Sequence, residues 1–148
     1  MYTPGVTPRI WKVLALSSLL LAVACSNQSD DDIRAHVTVA VTTEGPQATA
    51  AAEYLARFGR RAIPTVEAAM HTASVPGRKN LILALRKIGD AEAVPLLRHI
   101  AIYEPSPDVR REAEWTLKQW AAGTDVRAER ARAALRTIDE EKGTEEAG

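Results

Sequence analysis

Tyr54-Leu55-Ala56-Arg57-Phe58-Gly59 returns thirty residues later as Ala84-Leu85-Arg86-Lys87-Ile88-Gly89. Ala62-Ile63-Pro64 returns as Ala93-Val94-Pro95 at a spacing of thirty-one, and the Leu85 to Ile88 spacing recurs at Leu117 to Trp120, displaced by thirty-two. A period of about 20–50 residues marks a repeat array in which each unit is one supersecondary element. Glycine and proline punctuate the same period, at Gly45-Pro46, Gly59, Pro64, Pro76-Gly77, Gly89, Pro95, Pro105, Pro107 and Gly123. Between them lie segments of roughly 12 residues, the length of one helix of an antiparallel pair. Glycine suits the residue just past a helix end and proline the first turn, so Gly59 and Gly89 are expected to end helices. Pro46, Pro64, Pro95 and Pro107 are expected at or near helix starts, and Ser106-Pro107-Asp108 has the order of an N-cap, a proline and an acid favoured by the helix dipole.

Apolar spacing agrees with this division. Leu81, Leu85 and Ile88 share one helical face, as do Val94, Leu97 and Ala101, and then Val109, Ala113, Leu117 and Trp120. Aromatic residues are only 5% of the chain, so the core must be built mainly from Ala, Leu, Ile and Val. A helix pair that is apolar on two sides cannot close its own core and must stack on neighbours. The expectation is an all-α fold, an α-solenoid of about three helical hairpins over 33–139, with units near 46–75, 76–104 and 105–139. The last helix is expected over about Asp125 to Asp139, followed by a frayed, disordered acidic tail over 140–148. Ile33 to Thr43 reads two ways: Val37, Val39 and Val41 alternate like a strand, whereas Ile33, Val37 and Ala40 or Val41 have helical spacing. A lone strand has no pairing partner in a helical array, which favours a short N-terminal capping helix.

The run Ala84-Leu85-Arg86-Lys87-Ile88-Gly89-Asp90-Ala91-Glu92-Ala93-Val94-Pro95-Leu96-Leu97, with Pro107-Asp108-Val109-Arg110-Arg111-Glu112-Ala113, resembles the short bacterial HEAT-like repeats first named from phycobilin lyases. The resemblance covers about residues 46–123 and departs after Trp120, where Ala121-Ala122-Gly123-Thr124-Asp125 replaces the usual helix end. It implies a binding scaffold whose second helices line a concave face. Lyase activity is not implied, because many unrelated proteins share such repeats.

The amino-terminal segment reads as an address. Met1 to Ala24 carries Arg9 and Lys12 without an acid, then an apolar run from Val13 to Ala24 broken only by Ser17 and Ser18. As a helix that run rises only about 18 Å, short of the ~30 Å hydrocarbon core, and matches a secretory signal. It ends in Leu21-Ala22-Val23-Ala24-Cys25, which resembles the lipobox of bacterial lipoproteins, with Ala22 in place of the commoner Leu. The resemblance implies a signal peptide over 1–24, lipid on Cys25, the chain's one cysteine, through a thioether, cleavage after Ala24 and acylation of the new amino terminus. Residues 25–32 then form the lipidated cysteine and a short polar tether, and Ser26, not Asp, after the cysteine implies the outer membrane in a Gram-negative host. An ordinary cleaved signal or an uncleaved anchor are the other readings of the same segment.

Chemistry-bearing patterns are sparse. One cysteine excludes an internal disulfide, and His36, His71 and His99 lie in no His-x-x-x-His, Glu-x-x-His or His-Glu pair. The HEAT-like iron hydroxylases carry His-Glu dipeptides, so that activity is disfavoured, and no cofactor or metal is expected beyond the covalent lipid. There is no glycine-rich phosphate loop and no serine elbow. Nineteen basic and nineteen acidic residues balance, which argues against nucleic acid as a partner.

A binding surface remains. With Ile63, Val66 and Met70 turned to the core, Glu67, Ala68 and His71 turn outward, and the same wheel exposes Arg98, His99 and Ile102. These six are the candidate groove for a protein partner in the cell envelope. Trp115 projects roughly opposite the stripe of Val109, Ala113 and Leu117, either as an interface anchor or covered by the C-terminal helix or tail, whereas Trp120 belongs to the core. Arg57, Arg60, Arg61, Arg86, Lys87 and Lys118 recur in register; such a stripe can face anionic head groups, but the interleaved acids favour an ordinary solvated face. The reading is a lipid-anchored, non-enzymatic adaptor. An enzyme accessory subunit or a peptidoglycan-binding lipoprotein are the alternatives.

Overall fold

A computed structural model describes residues 29–146. The chain divides into two units at Asp32, and of the first only residues 29–32 are described, as helix. Cys25 and the whole 1–24 segment lie outside the described residues.

Every described element is helical: α1 (29–42), α2 (Pro46–Ala56), α3 (Ile63–Met70), α4 (Val75–Ile88), α5 (Val94–Tyr103), α6 (Pro107–Ala121) and α7 (Val126–Glu146). Proline stands in the first turn of α2, α3, α4, α5 and α6, where its missing N–H has no helical partner to lose. Short 3₁₀ turns, Gly59–Ala62 and Ala91–Ala93, join α2 to α3 and α4 to α5. Gly89 ends α4 in the left-handed region at φ 66° and its N–H donates to the Leu85 carbonyl. A side chain there would be strained and would also meet the Arg127 guanidinium, which approaches to donate to the Gly89 carbonyl at 3.1 Å. Ser106 occupies the N-cap position of α6, but its hydroxyl makes no capping bond; its own N–H donates to Glu104 Oε1 at 3.2 Å.

Helix α2 packs on α4 and α4 on α6, while α3 and α5 lie against the first helix of the following unit, α4 and α6. Leu55, Leu85 and Leu117, the same register position in successive units, are all completely buried. Val66 and Leu97 do the same in the second helices, so the apolar spacing identified the core of an α-solenoid-like stack. Residues 33–42 are helix, not strand, with Ile33, Val37 and Ala40 buried at helical spacing. The Asn80 amide of α4 donates to the carbonyls of Ala40 and Thr43, both at 3.0 Å, and so satisfies carbonyls at the end of α1.

Gly77 makes that docking possible. A Cβ at this position would meet Val41 Cγ1 at 2.8 Å and the Val41 carbonyl at 3.0 Å. Replacing glycine by alanine in a helix ordinarily gains up to about 1 kcal/mol, and overpacking costs about 1–3 kcal/mol. The backbone carbonyl cannot swing aside, so overpacking dominates: Gly77→Ala is expected to lower stability by roughly 1–2 kcal/mol and to speed amide exchange in α1. A raised urea midpoint would refute this account of α1 docking.

The final helix corrects one expectation. Helix α7 continues beyond Asp139 to Glu146, through residues read from sequence as a frayed tail. Asp125 starts it by accepting from the Ala128 N–H at 2.9 Å, and Lys142 reaches back to Glu114 on α6 at 2.6 Å. Lys118 donates to the same carboxylate at 2.7 Å. The bonds from Lys118 and then Lys142 hold the Glu114 carboxyl below its ordinary pKa, and its carboxylate in turn raises Lys118.

Candidate functional site

Helices α3 and α5 begin alike, at Ile63-Pro64 and Val94-Pro95, so their outward faces come into register. Between them runs a cleft of about 430 Å³. Met70 and Ile100, nearly buried, make its floor; Leu96 adds an apolar wall, and Glu67, His71, His99 and Tyr103 form the rim. Tyr103 is 60% exposed, and its ring lies 4.9 Å from that of His99, tilted by 48°. The end of the cleft is fixed by Arg78, which pairs with Glu104 at 3.0 Å and donates to the Ala73 carbonyl at 2.6 Å. Arg110 donates to the Glu104 carbonyl at 2.6 Å, holding the end of α5 from the α6 side.

The seven candidate residues do not form one site. Glu67, His71 and His99 come together on the cleft rim. Ala68 is exposed on α3 but lines none of these depressions. Arg98 turns to the other flank of α5, where it shares a depression of about 310 Å³ with Arg130, Ala133 and Thr137 of α7. Ile102, expected to point outward, is half-buried against the core, because α5 is flanked by α6 as well as by α7 and is apolar over a wide arc. Tyr103 and Leu96 were missed. The signal available was the placement of Tyr103 four residues after His99, which puts both on one helical face.

Trp115 is 46% exposed on α6, and the Arg86 guanidinium of the preceding unit lies 4.5 Å from its ring centroid. Part of its cover thus comes from α4. Trp120 is buried, with Arg127 over its ring at 5.4 Å.

The recurring cations are engaged within the array. Lys87 meets Glu53 of the unit before at 3.0 Å, and Arg86 meets Glu112 of the unit after at 2.9 Å. Arg60 reaches Asp90 at 3.4 Å, Arg57 lies over Tyr54 at 5.2 Å, Lys118 pairs with Glu114, and Arg61 also has a partner. Such surface pairs contribute only about 0–1 kcal/mol each; Lys87–Glu53, Arg86–Glu112 and Arg60–Asp90 join neighbouring units. Among the described residues no group of three metal-ligating side chains converges, and no helix is long and apolar enough to cross a membrane.

Residues 46–118 match the family model for HEAT repeats. No curated protein and no solved structure matches the chain. HEAT repeats generally serve as scaffolds for protein interaction, and the matched residues run from the start of α2 into α6.

Proposed function

We propose that this protein is a lipid-anchored cell-envelope scaffold whose HEAT repeats hold a protein partner in the cleft between α3 and α5, without catalysis of its own. The cleft carries the reading: an apolar floor of Met70 and Ile100 under a rim of Glu67, His71, His99 and Tyr103 has the apolar-centre, polar-edge composition of an interaction surface. The lipobox-like Leu21-Ala22-Val23-Ala24-Cys25 supports the anchor, and Ser26 supports the outer membrane in a Gram-negative host. Tethering confines the module to a membrane surface and raises its effective concentration for partners there.

Photocrosslinking tests the surface. The residue p-benzoylphenylalanine, placed at Tyr103 or at Trp115 of the full chain, replaces one exposed aromatic by another. In intact cells, protein adducts are expected from Tyr103 and not from Trp115. Adducts from Trp115 alone, or from neither position, would overturn the assignment.

A further inference from the structure

Two unpartnered charges line the depressions on either side of α5. Among the described residues, neither the Glu67 carboxylate nor the Arg98 guanidinium has a hydrogen-bond or ion-pair partner. Their charged neighbours are compensated: Glu104, the other carboxylate of the α3/α5 cleft, is held by Arg78, and Arg130, beside Arg98, is held by Glu92 at 2.9 Å. The cleft is therefore left with a negative wall on α3, and the α5/α7 depression with a positive one on α5. Pro95 lines both depressions, so they adjoin across α5.

On the reading that this layer binds a protein, we infer that it selects a partner segment of fixed polarity. The segment presents a carboxylate to Arg98, an apolar side chain to the floor of Met70 and Ile100, and a lysine or arginine to Glu67. Charge complementarity at both ends sets the direction in which the segment lies, while the apolar centre supplies most of the attraction. Arg98 stands on α5 and Glu67 on α3, and packed helices stand about 8–10 Å apart, so a path from the α5/α7 depression across α5 to α3 spans about one and a half spacings, roughly 12–15 Å. An extended strand covers that in about four residues. The acid and the base should thus be about four residues apart, with the apolar anchor between them.

The test uses the full chain in its own membranes, with p-benzoylphenylalanine at Tyr103. Peptides crosslinked there are sequenced by mass spectrometry. An acid and a base flanking an apolar residue at the stated spacing is the expected chemistry. Arg98→Glu and Glu67→Lys are each expected to reduce adduct yield roughly fivefold, the size of a solvent-exposed ion pair. Reversing the segment's acid to lysine should restore the yield of Arg98→Glu. Because both residues are exposed and unpartnered, both variants should keep wild-type circular dichroism. Adducts to a segment of other polarity, to a glycan, or with yield indifferent to both reversals overturn this inference and leave the scaffold reading standing. No adduct at all overturns both.

Discussion

Leu85→Ala is expected to lower the unfolding free energy by about 3–4 kcal/mol, within the range for large-to-small changes at a fully buried site. Leu85 has no exposed surface and lies in α4, the helix that touches both α2 and α6. In a stack stabilised by each unit plus its neighbour interfaces, a cavity in the middle weakens two junctions at once. A domain of this size has only about 5–15 kcal/mol in total, so the loss is a large fraction of it. With a urea m-value of about 2 kcal/mol/M, the midpoint should fall by roughly 1.5–2 M. Lys87→Ala, two residues on, removes an exposed pair with Glu53 and should cost about 0–1 kcal/mol. Similar losses at the two positions would contradict the assignment of α4 as the central core helix.

Cys25→Ser should abolish membrane anchoring through acyl groups. A buried methylene contributes about 0.8 kcal/mol, so one acyl chain gives marginal binding and two or more give stable attachment. Serine offers no thioether, and the loss is therefore expected to be complete. Three measurements check it: incorporation of a labelled fatty acid, partition into detergent on phase separation, and the mass of the amino-terminal peptide. Wild-type protein should label and partition; the variant should do neither. Unmodified Cys25 on wild-type material would remove the anchor from the proposed function and leave the repeats as they are.

Helix positions were legible because proline and glycine act locally. A proline in a first turn or a glycine at φ 66° leaves its mark within a few residues, so α2 to α6 could be placed from sequence. The buried register of Leu55, Leu85 and Leu117 was legible for the same reason, since period and burial are both properties of one helix. What failed to show was contact between units. Nothing in the tail marks Lys142 as meeting Glu114, twenty-eight residues away, so the extension of α7 was hidden. Ile102 was misplaced because a helical wheel knows one core, whereas α5 borders α4's neighbour α6 and also α7. The basic register was visible, but its pairing across units depends on the stacking offset, which only the fold supplies.

Adjacent residues Arg86 and Lys87 address opposite neighbours, Glu112 ahead and Glu53 behind. Suppose the middle unit were copied in tandem. At the offsets that separate the present units, the lysine of the second copy would face Leu83 of the first instead of a glutamate, and the arginine of the first copy would face Asn80 of the second. Both ionic contacts would be missing at the new junction. The three hairpins are thus no longer interchangeable parts: growth of the array by duplication is hindered, and the order in which they follow one another is written into their surfaces.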